Sequence, residues 1–168
     1  MRYVLSTLLA LAIVLAAAAA PALAPEGTRL PELALPDLGG QKHQLAELAG
    51  DKVAVFVYWS LTCPVCRQEM PHLATLAKRL EGNPFVMVTV NADGPAMRQA
   101  AARYVERFEL PRPALLDHGP DDSMPFGQRL DVIATPTILV FDRSGKLVHS
   151  QELAADLEAL RQAIGGAF

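Results

Sequence analysis

Cysteine is almost missing from this chain: there are two in 168 residues, Cys63 and Cys66, and none before them. With no cysteine ahead of residue 63, attachment through an N-terminal lipidated cysteine is excluded. A second cysteine pair is missing too, and His43, His72, His118 and His149 fall at no ligand-like spacing. The four-coordinate set that structural zinc needs is therefore not visible. Lys and Arg nowhere cluster, and the formal charge is −3. A mildly acidic chain without a basic patch gives no footing for nucleic-acid binding. There is no internal repeat, and no low-complexity segment beyond one alanine run.

What the chain does have begins with its leader. "MRYVLSTLLALAIVLAAAAAPALA" carries Arg2, an uncharged apolar run from Tyr3 to Ala20, then Pro21 and the small-x-small pattern Ala22-Leu23-Ala24. This layout reads as an export signal, residues 1–24, cleaved after Ala24. The alternative is a retained anchor, since the run could just cross a bilayer. The product is exported either way, to the periplasm or another extracytoplasmic site. Pro25 to Pro31 reads as a linker before one domain over 32–168. Export changes the meaning of two lone cysteines, because thiols in an oxidising compartment tend to pair. A purely structural bridge across two residues would constrain the unfolded chain least.

Along the domain, Leu33-Ala34-Leu35 and His43-Gln44-Leu45 flank the "PDLGG" turn as a hairpin. "KVAVFVYWS" (52–60) is β-branched and aromatic with no alternation, the pattern of a strand buried on both faces. A helix follows from Pro64 to Leu80, with Met70, Leu73, Ala74, Ala77 and Leu80 on one stripe and Pro71 kinking it locally. "FVMVTV" (85–90) is a second buried strand, and Pro95 opens a helix to Phe108. "ALL" (114–116) is a third strand, followed by a short helix over 123–129. "TILVFD" (137–142), the "RSGK" turn and "LVHS" (147–150) form a hairpin, and Gln151 to Ile164 a closing amphipathic helix. The order predicts an α/β sandwich, with helices covering a mixed sheet.

The cysteines fall where the first buried strand hands over to a helix. Pro64 in the first turn makes Cys63 the cap residue and puts Cys66 on the same face. The unpaired N–H groups and partial positive charge of a helix N-terminus favour a thiolate at Cys63, and the thiolate is the nucleophile. Cys63 would attack a partner's disulfide, and Cys66 would resolve the mixed disulfide. Beside this reading stand an inert bridge and a copper-delivery module using both thiolates, although no Met/His cluster accompanies them. Farther on, "VIATPTILVF" puts Pro136 at a strand start behind Thr135, a position open to proline in any sheet.

Taken together, "LALPDLGG…QLAELAGDKVAVFVYWS", "CPVCRQEMP" and "ATPTILVFDRSGKLV" resemble the thioredoxin-fold thiol–disulfide oxidoreductases. More narrowly they resemble the exported TlpA/ResA-like (redoxin) branch, which includes the cytochrome c maturation reductases. The resemblance runs from Glu32 to Ile164. It implies a thioredoxin-like sandwich with an additional central strand and helix, supplied by residues 84–116. It also implies a cis Thr135–Pro136 peptide against the cysteines, with the Thr135 backbone aimed at a bound substrate peptide. Trp59 and Pro64 would join that substrate-binding surface, although Trp59 reads equally well as a core aromatic. Glu69 matches an acidic residue that could move a proton to or from Cys66; a solvent-facing glutamate in the helix's first turns is the alternative. Two departures stand out. Thr62 replaces a second tryptophan before Cys63, and Val57 replaces thioredoxin's buried aspartate.

The resemblance further implies protein thiols and disulfides as substrates. The direction is reduction of specific targets, such as apocytochrome haem-binding cysteines or thiols of copper-site proteins, with electrons relayed by a membrane thiol partner. No cofactor or metal is expected, and a monomer suffices. Pro64-Val65 brings no His or cation between the cysteines, which argues against a very strong oxidant.

Overall fold

The computed structural model describes residues 23–168, so the expected export signal lies outside the described residues except for Leu23 and Ala24. Among the described residues no helix is long and apolar enough to cross a membrane. Strands β1 (Ala34–Pro36) and β2 (Lys42–Gln44) pair antiparallel around the "PDLGG" turn. A five-residue helix follows, α1 (Leu45–Ala49), too short for its periodicity to announce it. Next come β3 (Val53–Trp59), α2 (Pro64–Arg79), β4 (Phe85–Asn91), a 3₁₀ turn at Pro95–Met97 and α3 (Arg98–Arg107). The chain ends with β5 (Ala114–Leu116), α4 (Pro125–Arg129), β6 (Thr137–Phe141), β7 (Leu147–Glu152) and α5 (Leu157–Gly166).

The unalternating run in the sequence becomes the centre of the sheet. All seven residues of β3 are buried, as a strand covered on both faces requires. The order is β5-β4-β3-β6-β7, parallel from β3 through β5 and antiparallel from β3 through β7. Val53, Val55, Val57 and Trp59 face Met70 and Leu73 of α2, Ala101 and Val105 of α3, and Leu160 and Ile164 of α5. Ala54, Phe56 and Tyr58 face Leu45 of α1, Phe126 of α4 and Leu130 just after it. Phe56 packs against Phe126 and Phe141 with ring centroids 5.7 and 5.8 Å apart. Burying each such ring contributes on the order of 1.5–3 kcal/mol. This is the expected α/β sandwich. The segment 84–116 lays β4 between β3 and β5 and adds α3.

Three boundaries depart from the sequence reading. Strand β7 continues to Glu152, and α5 begins at Leu157 rather than Gln151. Leu153 adopts φ +66°, which interrupts any helix there, and Asp156 then caps α5 by accepting the Glu158 and Ala159 N–H groups. The helix expected over 123–129 starts at Pro125. Within the segment read as a linker, residues 27–30 lie as a strap on the sheet. Gly27 N–H donates to the Leu147 carbonyl (2.7 Å), Leu147 N–H to Thr28 (2.8 Å) and Leu30 N–H to Gly145 (2.8 Å), along the outer edge of β7.

Asp117 ties the end of β5 to α4. Its carboxylate accepts the Phe126 N–H (2.8 Å), the Gly127 N–H (3.0 Å) and the Tyr58 hydroxyl (3.1 Å). Burial nonetheless outweighs these bonds and pushes its carboxyl above the ordinary value of 3.8. A raised carboxyl pKa means that the folded state holds the proton longer. The group's contribution is therefore complete below 3.8 and declines as the pH rises through the folded value. Asp117→Asn, which loses one acceptor, should cost about 1–3 kcal/mol. The difference from the parent protein should shrink as urea midpoints are followed upward from pH 3.8.

Candidate active site

The sheet brings the two sequence motifs together. Antiparallel β3 and β6 set Tyr58 opposite Thr137, so the chain leaving β3 and the chain entering β6 lie side by side. Cys63 is the N-cap of α2, extended at φ −82° and ψ 112°, with Pro64 in the first turn where no N–H is needed. Its sulfur accepts the Cys66 N–H at 3.1 Å, the interaction that favours a thiolate in the reduced form. The two cysteines form a disulfide with Cα atoms 5.3 Å apart. Cys63 is half-buried, whereas Cys66 is fully buried in the α2 face of the core. Of the pair, Cys63 is the residue that keeps some surface open to solvent.

From the other side, the Thr135 carbonyl lies 3.3 Å from the Cys63 sulfur. The Thr135–Pro136 peptide is cis, and Pro136 is buried beneath a half-buried Thr135. The Pro136 carbonyl accepts the Leu153 N–H at 2.8 Å. That bond ties the loop to the chain leaving β7. Pro64 is exposed beside Cys63.

Trp59 does not join this surface. It is fully buried on the α2 face, its ring 5.3 Å from that of Tyr104. The reason is the pleat: Trp59 continues the Val53-Val55-Val57 side of β3, which points into the core. Glu69 is half-buried on α2, and no hydrogen bond or ion pair reaches its carboxylate among the described residues. Val57 lies in the same apolar cluster as Cys66 and offers no proton-carrying group there.

Several polar groups at the site carry no motif. Asp93, just beyond β4, accepts the Leu61 N–H (2.7 Å) and the Ser60 hydroxyl. The Arg67 guanidinium donates to the Leu61 carbonyl at 2.7 Å. The available signal was positional: a short acidic residue following a parallel strand sits at the sheet end where sites collect.

The Redoxin family profile matches residues 25–164. The chain belongs to the redoxin family. It is 30% identical over 126 residues to the thiol-disulfide oxidoreductase ResA of Halalkalibacterium halodurans, covering 75% of this chain and 68% of that protein. It is 28% identical over 121 residues to the thioredoxin-like protein YneN of Bacillus subtilis, covering 71% and 67%. The matches thus span about two thirds of these relatives' length. A crystal structure described as the thiol:disulfide interchange protein DsbE from Chlorobium tepidum superposes with TM-score 0.69 at 25% identity, covering 86% of this chain and 98% of that one. This redoxin chain therefore shares the fold and the paired cysteines of thiol–disulfide oxidoreductases.

Trp59→Phe should lower stability by about 1–2 kcal/mol through the cavity it opens. It should leave the rate of iodoacetamide alkylation of the reduced Cys63 unchanged, because the ring is fully buried; urea unfolding and an alkylation assay measure the two.

Proposed function

We propose that this redoxin is an exported protein-disulfide reductase working by dithiol–disulfide exchange through Cys63 and Cys66. The observation that carries this reading is the Cys63 sulfur itself. It belongs to a half-buried residue, accepts the Cys66 N–H, and lies 3.3 Å from the Thr135 carbonyl. In the dithiol form the Cys63 thiolate attacks one sulfur of a client disulfide. A Cys63–client S–S bond forms, and the other client sulfur leaves as a thiolate that takes a proton from solvent. Cys66 then gives up its proton and attacks Cys63, releasing the second client thiolate. Two electrons pass to the client, and the Cys63–Cys66 disulfide remains.

A protein client, rather than a small thiol, fits the rim of the site. Val65, Ile133 and Leu153 are 37%, 69% and 64% exposed, on the start of α2, the loop before Thr135 and the chain after β7. Apolar side chains left in water on three elements suit an extended polypeptide lying along the Thr135 backbone. Residues 1–24 support export, which in turn requires a membrane thiol partner to restore the dithiol. The family resemblance supports apocytochrome cysteines or copper-site thiols as targets.

Cys66→Ala should accumulate mixed disulfides on Cys63 that dithiothreitol releases, and Cys63→Ala should accumulate none. Mass spectrometry of the trapped species identifies the clients; a Cys66→Ala protein that captures nothing from its own compartment sinks the reading. Glu69 is proposed as the proton carrier for Cys66. Glu69→Gln should then shift the Cys66 titration, read by thiolate absorbance against pH, and an unchanged curve leaves Glu69 a surface residue.

A further inference from the structure

Between the end of β3 at Trp59 and the first turn of α2 at Pro64, four residues must reverse direction and deliver Cys63 to its cap position. The turn closes weakly on itself, with Cys63 N–H reaching the Ser60 carbonyl at 3.4 Å. Its definition comes from outside. The Asp93 carboxylate accepts the Leu61 N–H (2.7 Å), the Asn91 side-chain amide (2.7 Å) and the Ser60 hydroxyl. The Ser60 oxygen in turn accepts the Thr62 N–H (3.0 Å) and lies 2.8 Å from the Thr62 hydroxyl. On the opposite side, Arg67 holds the Leu61 carbonyl, and the Tyr104 hydroxyl donates to the Arg67 carbonyl at 3.0 Å.

Leu61 is thus gripped at its N–H by an anion and at its carbonyl by a cation. Asn91 is fully buried and sits opposite Trp59 in the β3–β4 register, so Asp93 is rooted in the rigid sheet. Three donors converge on two oxygens that donate nothing back, an arrangement suited to an ionised carboxylate. Charge-assisted bonds of this kind are about twice as strong as neutral ones.

We infer that Asp93 is a positioning residue for Cys63, acting through Ser60 and the 60–62 turn to hold the sulfur between the Cys66 N–H and the Thr135 carbonyl. The inference rests on the exchange reading and deepens it. It accounts for an acid near the cysteines whose bare charge would work against a thiolate. Asp93 costs the thiolate through space and repays it by holding the turn. The charged groups bonding the turn before Cys63 are Arg67 on α2 and Asp93 beyond β4; the uncharged Thr135 carbonyl faces the sulfur from before β6, and Glu69 lies farther along α2.

The test measures the Cys63 thiol directly, by the pH dependence of iodoacetamide alkylation in a Cys66→Ala background where a single thiol titrates. Asp93→Ala and Ser60→Ala should both raise the Cys63 pKa by about one unit, roughly a tenfold smaller thiolate fraction at neutral pH. Asp93→Asn keeps one acceptor oxygen and should fall between these variants and the parent. Ser60→Ala leaves the charge in place, and so separates turn geometry from field. A fall in pKa for Asp93→Ala with Ser60→Ala unchanged would assign the effect to charge alone and overturn the proposal. Unchanged pKa values in all three variants, with only Tm lowered, would overturn it as well. Alkylation needs no client, so the outcome is independent of which disulfide the protein reduces.

Discussion

The antiparallel register of β3 against β6 is the constraint on which the site depends. Residues 63 and 135 are far apart in the chain, yet their contact follows from one pairing, Tyr58 opposite Thr137. A slip of two residues would keep every core side chain on its own face but carry Thr135 roughly 7 Å along the strand. The sulfur would then lose its carbonyl neighbour. A slip of one residue would turn the buried faces outward and cost the fold itself. Hydrophobic burial on both sides of β3 therefore does more than stabilise the domain. It fixes, to within a hydrogen-bond length, where a cysteine meets a peptide carbonyl.

Two carboxylates at the same end of the sheet show how position divides labour. Asp117, after β5, is almost completely buried, and all of its partners are on the α4 side. It joins layers. Asp93, after β4, is only half-buried and bonds the turn before Cys63. It shapes chemistry. The parallel strands β3, β4 and β5 present their carboxyl ends together, so acids that follow them in sequence become neighbours of whatever occupies that end.

Much of this was legible beforehand. "KVAVFVYWS" had the pattern of a covered strand, and "CPVC" with proline after the first cysteine made that cysteine the natural cap of a helix. The stripe Met70-Leu73-Ala74 pointed to the face that α2 buries. What escaped was of two kinds. "QELAAD" has helix-forming composition, yet the β6 pairing extends through Glu152 and Leu153 turns left-handed, so tertiary pairing overrode local preference. Asp93, Ser60 and Arg67 escaped because they act through backbone groups, and any short polar residue in a loop looks alike until the sheet places it. Trp59, read for the substrate surface with the core as its alternative, takes the core position because the pleat of β3 aligns it with Val57.

The strap over residues 27–30 has a consequence for the edge of the sheet. An outermost strand offers unpaired N–H and carbonyl groups to any extended chain it meets. Left open, such a border is a ready nucleus for aggregation. By laying its own Gly27, Thr28 and Leu30 against Gly145 and Leu147, the domain occupies the first part of that border itself. Those groups are thereby spent within the chain, and that stretch of the border has no free ladder for another strand to join.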